Sequence, residues 1–450
     1  MASAAALQLI AHLKETLPGA ARCPVVAFGG SYGAKLTAYL RLKYPHVVIG
    51  GLAASCSIGY SAPRGWAGTS AHYSLRTSAA VSFFYSLTTF LAHLLVARPL
   101  TSPLVVCHAE HGVNEFTWID IVNRAYDMHA GCLDAVGDKA TGLIRRLGAS
   151  AAGRARLRAA FHLCAGPSGG PSGQSSGADP GPFPATAAEV GELADWWTDA
   201  VETMPQANYP YPVPPFTEYG WPVNVTCARL TNATMGGVGV DGGGGAGGDD
   251  AALLAAMAAV AGDFYGYDGS ACLDGRGQGG IPGGGAAPNM LLDPTDTAWG
   301  YQSCTETLHA FSGRGVRNFS YADNYEAGVV APCREAFGVA PDQTNWADVH
   351  FGGWAIGEGR TGLSNVIFSQ GLLDPWHGGG FLAPWDNASC PVLLMKNGAH
   401  HLDLRGPHAA DPPDVTATRA EEQRVIKGWI DDYVAEDVQR QQLRMSKGRQ

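Results

Sequence analysis

Residues 4–17 place apolar and polar side chains at a helical period and stop at Pro18-Gly19, which predicts a short amphipathic helix. An apolar run follows, and the reading is a strand over 24–28 that halts at two glycines. Lys35–Lys43 reads as a helix and Val47–Ala54 as a buried strand, so the chain opens on a strand–turn–helix–strand unit of the parallel α/β kind. Ser78–Ala97 is nearly all apolar and long enough for a membrane span. Its Ser and Thr content and His93 favour a buried helix or retained non-coding sequence instead. Residues 115–147 and 251–262 carry helical patterns, whereas 165–184, 235–250 and 273–288 have the composition of flexible linkers. Apolar strand candidates return at Asn365–Ser369 and Val392–Met395. Near the end, Ile426, Trp429, Ile430 and Tyr433 fall at i, i+3, i+4 and i+7, a stripe that packs a helix onto a core. The pattern is therefore α/β at both ends with a helical, glycine-rich insertion between them.

Composition narrows the function. A chain of 450 residues with 46% hydrophobic residues can bury a large core in one domain or two to three ordinary ones. The net charge of −10 and the lack of any basic block exclude a nucleic-acid partner, and a membrane partner is not expected. Ten cysteines contain no C-x-x-C pair, so neither a zinc nor a redox motif is indicated. The sequons at Asn224, Asn232, Asn318 and Asn387, taken with the dispersed cysteines, favour an oxidising and glycosylating compartment. The first residues point the other way, because they lack a basic n-region and are interrupted by His12, Lys14 and Glu15, unlike a signal peptide.

Gly29-Gly30-Ser31-Tyr32-Gly33 fits G-x-S-x-G between a strand and a helix, the context of a nucleophile elbow. Glycines let the turn cross closely, and a strained serine there presents its hydroxyl at the carboxyl edge of the sheet. The Tyr32 N–H then faces the position of an oxyanion. A nucleophilic serine needs a base and an orienting acid. Asp374 lies just past one strand candidate, and His400 lies 26 residues later, just past the next. Both therefore reach the same sheet edge in the order Ser, Asp, His. No metal or cofactor is called for, since the clustered glycines match neither G-x-G-x-x-G nor a P-loop.

Longer motifs add a resemblance. GGSYGAKL and the following AYLRLKYPHVVIGGLAAS, Tyr209-Pro210-Tyr211, YQSCTE at 301–306, GLLDPWHGGG and GAHHLDLR resemble the prolyl carboxypeptidase / dipeptidyl peptidase II family of serine peptidases. That resemblance implies an α/β-hydrolase fold with an inserted helical cap, and cleavage of peptides at proline near a terminus. On this chain it implies Ser31 as nucleophile, Asp374 as orienting acid and His400 as base, with His401 and Arg405 behind them. A cation at Arg405 would lower the pKa of His400 and keep it a base in acid. Trp376 would offer an indole face to proline. The implied disulfides are Cys132–Cys227, Cys164–Cys272 and Cys304–Cys333, while Cys107 lacks its family partner. The implied location is the lysosome or vacuole, or the outside of the cell.

The resemblance assigns residues 1–60 and 346–450 to the two parts of the hydrolase core and 107–345 to the cap, and leaves 61–106 as an apolar insertion without a family counterpart. Two departures stand out. The early strands that the family carries before the elbow are expected to be missing. Lys35 occupies an elbow position where the family has an apolar side chain facing the proline pocket; it would either snorkel outward or attract an acidic substrate group. Carboxypeptidase and dipeptidyl peptidase modes stay open, and so does a homodimer. An esterase on the same fold and an inactive family member or non-catalytic glycoprotein are the rival readings.

Overall fold

Four parallel strands form the described sheet: β1 (Val26–Gly30), β2 (Gly50–Ala54), β3 (Val366–Gly371) and β4 (Val392–Met395), adjacent in that order. The structure, a computed structural model, describes residues 2–60, 116–164, 183–213, 217–235, 246–267, 298–306, 331–339, 346–356, 361–383 and 387–447, with single positions at 269, 272, 273, 275 and 359. The apolar stretch Ser78–Ala97, Cys107, Asn318 and most of the three linker segments lie outside the described residues. The carboxyl ends of the strands stay level, since Gly30 pairs with Ala54, Ala54 with Ser369, and Gly371 with Met395.

Every residue of β2 and β3 is buried, as expected of parallel strands covered on both faces. The helices α1 (Ala2–Thr16) and α2 (Tyr32–Lys43) flank the elbow. Strand β2 begins with two glycines because helices press on it from both sides. A Cβ at Gly50 would lie 2.3 Å from the Trp429 ring, and one at Gly51 would lie 2.5 Å from the Thr37 methyl. At the end of α2, buried Arg41 donates to the carbonyls of Pro45, Val48 and Ser364, each at 2.8 Å, tying the helix to the loops entering β2 and β3.

Between the two parts of the sheet lie α3 (Phe116–Asp127), α4 (Ala140–Gly148), α5 (Ala151–Ala160), α6 (Ala187–Thr203), α7 (Pro222–Met235) and α8 (Ala246–Tyr265). They share their own core, in which Trp196, Trp197, Tyr126, Phe161 and Leu143 are almost wholly buried. A capping box of Thr186 and Glu189 starts α6. The shorter α9 (Ala298–Thr305), α10 (Ala331–Phe337) and α11 (Trp346–Phe351) lead back to the sheet, and α12 (Pro413–Lys447) closes the chain. Disulfides join Cys132 to Cys227, Cys164 to Cys272 and Cys304 to Cys333, the same three pairs that the resemblance implied.

Several boundaries differ from the sequence reading. The first strand runs two residues further, through Gly29 and Gly30, because those glycines serve close packing and do not break the strand. Helix α8 begins at Ala246, inside the segment expected to be a linker, where two acidic residues precede the Ala/Leu run and favour a helix N-terminus. Residues 45–47 form a turn closed by the Val47 N–H on Tyr44 O at 3.0 Å, and β2 starts only at Gly50. The stripe of α12 is half-buried and packs Trp429 on β2. Among the described residues no helix is long and apolar enough to cross a membrane.

A third apolar cluster welds the two halves. Ala207, Tyr209 and Val213, from the segment after α6, pack against Met395, Ala399 and Leu402 beyond β4 and Val415 on α12.

Candidate active site

Ser31 sits at the junction of β1 and α2 with φ 57° and ψ −123°, a conformation that costs about 1–3 kcal/mol for a residue with a side chain. Its surroundings hold it there. The Ser31 N–H donates to Ala54 O at 3.0 Å. A Cβ on Gly29 would lie 2.0 Å from Gly33 O, so only glycine allows the crossing of strand and helix. Tyr32 is the first residue of α2, where a backbone N–H has no carbonyl one turn earlier to bond. The positive end of the helix therefore points at the serine. The Tyr32 phenol donates to Glu306 Oε2 at 2.9 Å and accepts from Gln302 Nε2 at 2.9 Å. Burial, and then the Glu306 carboxylate, raise its pKa well above that of an ordinary tyrosine.

Asp374 follows β3 by three residues and is fully buried. Its Oδ1 accepts from Trp376 N at 3.1 Å, and its Oδ2 lies 2.6 Å from His400 Nδ1. The carboxylate is an acceptor, so the proton of the neutral imidazole sits on Nδ1 and Nε2 is left with its lone pair. His400 is held from both main-chain sides: its N–H donates to Gln206 O at 3.1 Å, and its carbonyl accepts from the Tyr209 hydroxyl at 3.1 Å. The loop also approaches β3 closely, since a Cβ on Gly371 would lie 2.4 Å from Gly398 O.

His401 adopts φ 40° and donates its N–H to Ser55 Oγ at 2.8 Å. A Cβ at Gly30, the residue before the serine, would come within 3.0 Å of the His401 ring. Burial pushes the His401 pKa down to about 3, helped by neighbouring His400 and Arg405. This imidazole stays neutral well below the usual histidine range. The Arg405 guanidinium lies 4.2 Å from the Tyr209 ring centroid, a cation–π contact.

Ser31, Asp374 and His400 thus stand at the ends of three strands of one parallel sheet, with a buried acid–imidazole pair among them. Comparison with known proteins gives a family likeness that includes these segments. The family model "Serine carboxypeptidase S28" matches residues 2–62 and 288–422, the segments that carry all three. Human lysosomal Pro-X carboxypeptidase is 27% identical over 434 residues, which is 95% of this chain and 67% of that protein. A Caenorhabditis elegans protein, "Prolyl carboxy peptidase like protein 5", is 27% identical over 92% of this chain and 67% of its own. Mouse thymus-specific serine protease matches a shorter part, 26% identical over 30% of this chain and 26% of that protein.

The chain is thus similar to the serine carboxypeptidase S28 family over the two segments that form its sheet and carry these residues. It is accordingly a serine-type peptidase with an α/β-hydrolase-like core. Within the chain the structure brings several of the sequence-selected residues to one sheet edge, and it changes the reading of others. Lys35 does not snorkel to solvent: it is 2% exposed, and burial lowers its pKa to about 7. The Cys56 thiol, which burial pushes up to about 12, acts on Lys35 in the opposite sense. Trp376 is also buried, its indole N–H donating to Gln206 Oε1 at 2.7 Å and its ring edge-on to Trp118. Arg405 stands over the Tyr209 ring and lowers the pKa of His401.

The sequons divide as well. Asn224 and Asn232 are exposed on α7, whereas the Asn387 amide is half-buried, donating to Leu363 O and accepting from Ser389. Sequence reasoning passed over Gln206, which touches both the His400 backbone and the Trp376 indole. Nothing in its local sequence marks it. It passed over Glu306, Asp403 and the Tyr209 hydroxyl too, although all three lie inside motifs that were singled out.

Proposed function

We propose that this serine peptidase is an exopeptidase that cuts peptides at proline near a terminus by covalent serine catalysis. The observation that carries the reading is the buried His400–Asp374 pair at 2.6 Å, delivered to the sheet edge where Ser31 is held in a strained turn. Ser31 Oγ attacks the scissile carbonyl while His400 Nε2 takes the serine proton. The tetrahedral oxyanion meets the Tyr32 N–H at the start of α2. His400 then returns the proton to the leaving nitrogen, Ser31 is left acylated, and a water activated by the same imidazole releases the acid. Asp374 keeps Nδ1 protonated and the ring aimed throughout.

Two features support proline and exopeptidase action. The relatives matched over most of the chain are named for carboxypeptidase action at or near proline. Trp376 follows Asp374 closely and places an indole behind the imidazole, 6.5 Å between ring centroids. Residues 107–345 supply the cap, reaching the site through Gln206 and Tyr209. The disulfides and exposed sequons fit a lysosome, a vacuole or the outside of the cell.

The test is product analysis by mass spectrometry. One peptide carries proline next to its C-terminal residue, a second carries proline second from its N-terminus, and a third substrate is a short acyl ester. Release of the C-terminal residue or of the N-terminal dipeptide supports the reading and selects the mode. Turnover of the ester with neither peptide cut overturns it.

A further inference from the structure

The loop that carries His400 ends on a pair of acids that the proposed reaction does not use. Asp403 and Glu422 are each 4% exposed. Asp403 comes from the loop after β4, three residues past His400, and Glu422 from α12. Ser369 on β3 donates its hydroxyl to Asp403 Oδ2. The other Asp403 oxygen, Oδ1, and Glu422 Oε1 are buried with no donor among the described residues. Two buried carboxyl groups that each keep an oxygen without a donor cannot both be charged at reasonable cost, but one proton between them satisfies both oxygens.

The surroundings do not remove the need for that proton. Arg419, one turn before Glu422, is the cation that acts on the acid. Its guanidinium is bonded elsewhere: to Asp403 O at 2.9 Å, Leu402 O at 2.8 Å and Asp411 Oδ2 at 2.5 Å. It clamps the backbone of the loop and pairs with a different acid. The groups facing Glu422 are thus Asp403 from the loop and Arg419 on its own helix, with Ser369 of β3 behind Asp403.

We propose that Asp403 and Glu422 share one proton, and that this carboxyl–carboxylate hydrogen bond is the positioning device that seats the His400 loop on α12. Glu422 is a positioning residue in this account, since it touches neither substrate nor Ser31. Burial, and then the Asp403 carboxylate, raise Glu422 to about 9. An acid whose pKa rises on folding binds its proton more tightly in the folded chain than in the unfolded one. Stability therefore falls as pH climbs from about 4.5 to about 9, and the seating of the loop is complete on the acid side. The same shared proton favours a catalyst that works in acid and loosens in alkali.

The inference rests on His400 being the catalytic base, so the test needs one readout that does not depend on that role. The melting temperature and the rate of labelling by a fluorophosphonate are followed from pH 5 to pH 10 for wild type, Glu422→Gln and Asp403→Asn. Each amide keeps a donor between the two side chains and removes the titration. Expected are a wild-type melting temperature that drops toward pH 9, a flatter profile in both variants, and a labelling rate that holds at high pH in Glu422→Gln where the wild type declines. Profiles with the wild-type alkaline drop in both variants overturn the proposal. So does failure of both variants to fold at pH 5, because each preserves the hydrogen bond. Wild type that never labels but shows the predicted stability profiles would count against the catalytic reading alone and leave the shared proton standing.

Discussion

Ser31 is the residue whose cost is easiest to see, because a serine with φ 57° and ψ −123° is kept only where the surrounding fold enforces it. Its partners make separate predictions. Asp374→Asn should fold with unchanged packing and lose about 10⁴-fold in kcat with KM nearly unchanged, because the wrong tautomer of His400 then faces the serine. Steady-state kinetics on a proline peptide reads this directly. Lys35 makes the opposite kind of prediction. Its ammonium ionises near pH 7 in the fold against 10.5 in the open chain, so burial penalises the folded state increasingly as pH falls from 10.5 to 7 and fully below that. Lys35→Met should raise the melting temperature, by about 2–4 °C for each kcal/mol relieved, and more at pH 5 than at pH 10. An equal gain at both values would show that the charge is not the cause. His401 acts in the same direction at lower pH, since the open chain takes its proton below 6.5 and the folded chain only near pH 3. Stability from this group is lost as pH falls through that window, and His401→Gln should flatten the acid side of the melting profile.

At the scale of elements, the parallel α/β unit was legible in the first fifty-odd residues because buried parallel strands read as unbroken apolar runs. The strands after the insertion were legible for the same reason, and Val392–Met395 agrees residue for residue. Glycines misled where they serve packing. Those ending β1 looked like a stop, yet they belong to the strand and allow the elbow to cross. Gly50 looked like one more apolar position, yet it is the floor on which Trp429 rests. Gly50→Ala should destabilise the protein by about 1–3 kcal/mol through overpacking, and Trp429→Ala in the same chain should recover part of that loss. Denaturant melts of the four chains of that cycle check it; simple additivity would show that the two sites do not touch. Strand β1 lies at the edge of the described sheet with Phe28 60% exposed. Exposed apolar edges invite pairing between chains, so Phe28→Lys should lower self-association in light scattering.

Across the whole molecule, two apolar cores meet at the site. Asp374 belongs to the sheet edge, but Trp376, two residues on, packs into the helical core, and Tyr209 from the helical side bonds the His400 carbonyl. The order Ser, Asp, His was legible because each residue follows a strand, and topology alone then gathers them. What holds them was not legible, because its parts are far apart in sequence: Gln206 lies almost two hundred residues from His400, and Glu422 on α12 looks like any solvated charge until its burial is known. Of the two expectations for Lys35, snorkelling outward fails for the converse reason, since a lysine on a helix is expected at the surface and only the packing around the elbow encloses it. The central claim is that this assembly makes Ser31 a nucleophile. The most direct measurement is fluorophosphonate labelling of the 450-residue chain beside its Ser31→Ala variant. The account predicts one labelled site, mapped by mass spectrometry to Ser31 and lost in the variant. Folded wild-type protein that takes no label, or label that persists in Ser31→Ala, would contradict it.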